Sequence, residues 1–165
     1  MKKVTIFILF AILFSCRKDR NSNIAFTDIQ TDCKKNSVCT YNYYEQANLN
    51  GYNQLVAGGD RVFIYKSVDS SACDITALLY FKTSMGNNDF DLNGSQIAAG
   101  QAAYSLSCAC CYIAYQSKPI SGEIKGKMID ASHWLINATV VLGNSYNKQT
   151  DTLVVNQSFT FTKLP

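Results

Sequence analysis

Between Ile120 and Met128 the even positions are Ile120, Gly122, Ile124, Gly126 and Met128, and the odd ones are Ser121, Glu123, Lys125 and Lys127. Side chains alternate across a strand, so this stretch predicts a β-strand with one buried and one wet face, its glycines marking curvature or close packing. Trp134, Ile136, Ala138, Val140 and Leu142 give a second apolar face, and Leu153, Val155, Phe159 and Phe161 a third, with polar residues from Gly143 to Thr150 between them. The pattern is that of antiparallel hairpins. These C-terminal strands are expected at 120–129, 134–142 and 152–163. Upstream, runs rich in Val, Ile, Tyr, Phe and Thr predict strands at 38–44, 62–68, 75–82 and 111–116.

Helix formers are scarce. The stretch 94–104, with Ile97, Ala98, Ala99, Ala102 and Ala103, offers one short helix, but Gly100 interrupts it, so a packed loop competes. There is no internal repeat. The expected fold is therefore all-β, a single antiparallel β-sandwich or closed β-barrel-like domain with at most one short helix, because closure or sheet packing hides strand edges.

The N-terminus follows different rules. Lys2 and Lys3 precede an almost unbroken apolar run from Val4 to Phe14. A membrane-spanning helix needs about 20 apolar residues, whereas the core of an export signal needs about 7–15, so this run predicts export. It ends in Leu13-Phe14-Ser15-Cys16, which resembles the lipobox of type II signal peptides. The resemblance implies cleavage after Ser15 and attachment of lipid to Cys16, whose thiol would carry a diacylglycerol and whose amine a further acyl chain such as palmitate. Two or more chains make a stable anchor. Residues 1–15 are thus expected to be a signal peptide, 16–31 the lipidated Cys and a polar tether, and 32–165 the β-rich domain.

Cysteine usage agrees with export. With Cys16 set aside for lipid, six of the seven cysteines remain: Cys33, Cys39, Cys73, Cys108, Cys110 and Cys111. An even set in an oxidising compartment predicts disulfides rather than a thiolate metal site. The short gap favours Cys33 with Cys39, and direct closure of Cys110 onto Cys111 would be strained, so Cys73 is expected to pair within the 108–111 cluster. The chain has 15 basic and 12 acidic residues, and two of the basic ones lie in the signal, so the exported part is nearly neutral. No basic stripe points to nucleic acid; Arg17, Lys18 and Arg20 sit beside the expected lipid.

Candidate chemistry is sparse. Asp89, Asp91 and Asn93 in Asp89-Phe-Asp-Leu-Asn-Gly94 begin like a calcium loop, but the twelfth position, which should carry a bidentate Glu, is Gly100. His133 is the sole histidine, no nucleophile or phosphate-loop motif is present, and Glu45 and Glu123 are the only glutamates. No catalytic residue, metal or cofactor is therefore assigned. Tyr41, Tyr43, Tyr44 and Tyr52, with asparagines among them, are the binding candidates, since flat amphipathic rings suit sugars and peptides; alternation at Tyr41 and Tyr43 equally suits a strand with one buried face.

The Lys-Asp after Cys16, the Ile120-Ser-Gly-Glu-Ile-Lys-Gly run and Phe159-Thr-Phe-Thr-Lys resemble the small lipoproteins of Bacteroidota. That resemblance implies the cell envelope, with the absence of Asp at position 17 pointing to the outer membrane; Asp19 among three basic residues leaves the face open. Two function classes follow. One is a non-catalytic binding or structural lipoprotein with a glycan, lipid or protein partner; the other is a lipid-anchored hydrolase using Asp residues, with calcium assistance. Two carboxylates converging in a cleft would favour the second, and an apolar barrel mouth or a tyrosine shelf the first.

Overall fold

The computed structural model describes residues 25–26, 30–72, 74–110, 113, 116–144, 146 and 148–165. The expected signal peptide, Cys16 and most of the tether lie outside them. The elements are β1 (Ser37–Leu49), β2 (Leu55–Ala57), β3 (Asp60–Asp69), β4 (Ile75–Ser84), β5 (Phe90–Leu92), α1 (Gly94–Gln96), β6 (Ala102–Ser107), β7 (Ser117–Asp130), β8 (His133–Asn144) and β9 (Thr150–Phe161). The domain is all-β with one short helix, as the alternation predicts.

Eight strands lie side by side in the order β5-β7-β8-β9-β1-β3-β4-β6, with β2 extending the β1 hairpin, and this one sheet curls into a half-barrel. It consists of two antiparallel meanders, β7-β8-β9 and β1-β3-β4-β6. Where they join, β1 and β9 run parallel, pairing Asn42 with Thr160 and Tyr43 with Phe161. This departs from the purely antiparallel pairing that the sequence predicts. The exception arises because the first and last long strands meet at the seam, where local hairpin connection is impossible.

Two expectations are corrected. The strand expected at 111–116 is absent at Ile113 and Gln116, the other residues of that stretch lying outside the described ones; the strand falls earlier, at β6. The backbone at Leu106 explains part of this: its free edge is met by the Gln116 side-chain amide, whose Nε2 donates to Leu106 O at 3.2 Å. The helix expected across 94–104 covers only α1 and a continuing π-helical turn, Ile97–Gln101, and stops where Gly100 takes φ +96°. Only glycine adopts that backbone readily.

The strand registers stack the interior into rows. Tyr43, Phe63, Phe81 and Ala102 are successive partners across β1, β3, β4 and β6, and one step along the strands Tyr41, Tyr65, Leu79 and Tyr104 form the next row. Facing them are Ile124, Trp134, Ile136, Ala138, Val140, Val155 and Phe159, all buried. Phe63 is the hub: its ring stacks on Phe81 at 4.9 Å and meets Trp134 and Phe159 edge-on, each at 5.9 Å. Gly126 shows why β7 carries glycine in its apolar phase. A Cβ there would lie 2.0 Å from the Phe90 ring, so the missing side chain is the seat of that ring.

Candidate functional site

The two rows differ in burial, and that difference locates the site. Tyr43, Phe63 and Phe81 are sealed, whereas Tyr41, Tyr65 and Tyr104 are only partly buried and pack on the core from above together with Leu153. Above them the register places Cys39, Ser67, Ala77 and Leu106, three of which are small. Large rings under small side chains leave a tyrosine layer near one rim of the half-barrel. Tyr41 and Tyr65 stack at 5.5 Å, and Tyr41 meets Phe159 edge-on at 5.6 Å.

Beside this layer, on the wall formed by β7, β8 and β9, lies a cavity of about 460 Å³ lined by Ser117, Leu142, Asn144, Gln149, Thr150 and Asp151. Leu142 and Asp151 are directly paired, and Asp151 shares the inward phase of Leu153 and Val155. It is an open groove, since Gln149, Thr150 and Asp151 of its lining are exposed. Burial raises the Tyr104 phenol above its ordinary pKa, and the Asp151 and Tyr65 groups push it further; Tyr41 is raised by burial, then by Tyr65 and Asp32. Both shifts favour the protonated phenol.

Disulfides brace the same rim. Cys33 and Cys39 are joined at an S–S distance of 2.02 Å, as their spacing predicts, and the Cys39 sulfur lies 3.8 Å from the Tyr65 hydroxyl. Restricting the unfolded chain by so short a loop contributes about 2 kcal/mol. Cys108 and Cys110, just after β6, are disulfide-bonded too. Cys73 and Cys111 lie outside the described residues. Thr31 holds the chain entry to the barrel, its backbone N–H donating to Asn156 O at 3.0 Å and its hydroxyl accepting from Asn156 N at 2.9 Å.

The four tyrosines singled out in the sequence do not form one shelf. Tyr43 is a core residue whose hydroxyl donates to Ala131 O at 3.2 Å, Tyr41 belongs to the rim layer, and Tyr44 takes the opposite phase of β1. Tyr52 stands 87% exposed at the tip of the β1–β2 hairpin, at the other end of the barrel. Alternation decides the matter: one residue changes the face. Tyr65 and Tyr104, which complete the layer, were missed because they sit in separate runs that only the register brings together.

The calcium candidates are also dispersed. Asp89 lines a small cavity beside Arg61, Asp91 lies on the exposed face of β5 near Glu123 and Lys125, and the Asn93 side chain accepts from Ser95 N and Gln96 N as the cap of α1. The Gln96 side chain accepts in turn from Asn93 N, completing a capping box. Among the described residues, no group of three or more His, Cys, Asp or Glu is placed to hold a metal ion.

Compared with known proteins, the chain matches no family model, no curated protein and no solved structure. Its chemistry must be read from its own residues. No helix among the described residues is long and apolar enough to cross a membrane.

At the end opposite the tyrosine rim sits the one charged side chain in the buried core of the described residues, Arg61, only 2% exposed. Its Nη2 and Nε donate to Glu45 Oε1 at 2.6 and 3.2 Å, Nη1 donates to Gly86 O at 2.5 Å, and the guanidinium lies 4.5 Å from the Trp134 ring centroid. An arginine in the apolar phase of Phe63 and Tyr65 was the sequence signal for it. At the nearby β7–β8 turn, His133 and Ser132 bond Asp130, whose carboxyl is held down to about 2, chiefly by the Ser132 backbone N–H and then by His133. A depressed carboxyl contributes stability above its unfolded pKa and loses it as pH falls through the folded value. Acid titration followed by circular dichroism should therefore show stability falling between about pH 4 and pH 2, with a shallower fall in Asp130→Asn.

Proposed function

We propose that this chain is a lipid-anchored envelope protein of the non-catalytic binding type, which takes a small ligand at the tyrosine-layered rim of its half-barrel. The anchor rests on the Leu13–Cys16 motif behind a short apolar run. The binding reading rests on one observation: the sealed core gives way at one rim to a partly buried aromatic layer beside a 460 Å³ cavity. Hydrolysis by paired carboxylates is less well supported. Among the described residues, the cavities at the rim, beneath the hairpin and beside Arg61 carry one carboxylate each, Asp151, Glu45 and Asp89 respectively. The Asp91 and Glu123 pair lies on exposed strand faces.

Native mass spectrometry of protein released gently from the envelope tests the binding reading. Wild type is expected to carry a small-molecule adduct that Thr150→Trp, which fills the cavity from an exposed position, loses. Identical spectra for the two proteins would remove the rim as the ligand site.

A further inference from the structure

We propose that Cys110 is bonded to Cys73 and Cys108 to Cys111, so that the tyrosine rim carries one long structural staple and one short ring open to thiol–disulfide exchange. Among the described residues the one complete bridge is Cys33–Cys39, yet Cys108 and Cys110 are disulfide-bonded too, so the partner of each lies outside the described residues. Three cysteines do: Cys16, Cys73 and Cys111. With Cys16 taken by lipid, as the proposed anchor requires, Cys73 and Cys111 remain, in two arrangements. Either Cys73 takes Cys110 and Cys108 takes Cys111, or Cys73 takes Cys108 and Cys110 closes directly on Cys111.

Two observations decide between them. The antiparallel β4–β6 ladder pairs Ala77 with Leu106 and ends at Thr76 with Ser107. Continued at the same level, from Thr76 to Cys73 and from Ser107 to Cys110, that register sets Cys73 opposite Cys110, whereas Cys108 falls opposite Ile75. The chains turn just past the ladder, at Asp74 with φ +54° and at Ala109 and Cys110, so side chains and not further ladder bonds join them there. The second observation is chemical: adjacent cysteines cannot reach disulfide geometry without distorting the peptide between them, whereas the two residues inside Cys108-Ala109-Cys110-Cys111 let its ends meet.

The two bridges differ in what they close. The Cys73–Cys110 bridge encloses β4, β5 and β6, and the Cys108–Cys111 ring only Ala109 and Cys110. A longer closed loop restricts the unfolded chain more, so on loop length the short ring is about thirtyfold easier to reduce. Ala109 and Cys110 are exposed, which opens this loop to a reductant. A thiolate of a small dithiol attacks one sulfur of the ring and releases the other cysteine as a thiolate. Its second thiolate then attacks the mixed disulfide, leaving Cys108 and Cys111 as thiols and the dithiol as its cyclic disulfide. Two electrons and two protons pass from the dithiol to the pair, and Cys73–Cys110 stays closed.

Alkylation of the full-length protein in detergent, under denaturing conditions without reductant, tests this, with mass spectrometry placing the labels. Cys73→Ser with Cys110→Ser, and Cys108→Ser with Cys111→Ser, should each show no free thiol in the cluster, because each removes a whole bridge. Cys73→Ser with Cys108→Ser should show two, at Cys110 and Cys111. The reverse pattern, or equal counts in the three variants, overturns the pairing. In wild type, rising dithiothreitol should label Cys108 and Cys111 first, and Cys73 and Cys110 only at a ratio of reductant to oxidant about thirtyfold higher. Cys73 labelled first, or all four together, overturns the exchange site. Position separates the two readings: a wild-type label on Cys16 before reductant sinks the anchor, and one on Cys73, Cys108, Cys110 or Cys111 sinks the pairing.

Discussion

Trp134→Ala should lower the unfolding free energy by about 3–5 kcal/mol, the range for removing a large aromatic from a packed interior. The side chain is 1% exposed and touches three systems at once: Phe63 at 5.9 Å, Phe90 at 5.6 Å and the Arg61 guanidinium at 4.5 Å. Its loss leaves a cavity and takes away the surface on which Arg61 is laid. Trp134→Phe keeps part of both and should cost clearly less. Urea denaturation followed by tyrosine fluorescence and circular dichroism measures the difference, and a loss under about 1 kcal/mol for the alanine variant would show that the aromatic hub does not hold the curl.

The second large effect is expected at Glu45. Glu45→Ala leaves a buried guanidinium with only the Gly86 carbonyl, and breaking a buried pair from one side costs about 3–5 kcal/mol. Glu45 itself is 37% exposed on its side chain, so water replaces part of the lost partner and the lower end, about 3 kcal/mol, is expected. The double variant Glu45→Leu with Arg61→Met should be more stable than Glu45→Ala alone, because it removes the stranded charge as well as its partner. The opposite order would mean that the ion pair does more than neutralise a buried cation.

Much of the fold was legible because one wall alternates strictly. Ile124, Trp134, Ile136, Ala138, Val140 and Val155 are buried in the phase their spacing predicts, and β7, β8 and β9 match the expected strands closely. Short β2 and β5, three residues each, carry too few side chains to show a period. β6 was hidden because its alanines read as helix, and only pairing with β4 makes Ala102 and Tyr104 a strand.

The candidate site was legible in part, for a reason that is physical. Cys33 and Cys39 are near in sequence, so their bond is a local event that spacing reveals. Tyr41, Tyr65 and Tyr104 come from three distant strands, and no local pattern says that they share a row. Asp151 reads as a turn residue before a strand. It becomes notable only when pairing with β8 sets it opposite Leu142 in the lining of a cavity, a long-range consequence of register.

The central claim, that this half-barrel works at a membrane to which Cys16 ties it, is tested most directly by metabolic labelling with a fatty-acid probe followed by fractionation of wild type and Cys16→Ala. Wild type should carry the label and sediment with membranes. Cys16→Ala should carry none and appear in the soluble fraction with its β-sheet circular dichroism intact. Equal labelling and equal membrane attachment of the two proteins would contradict the account.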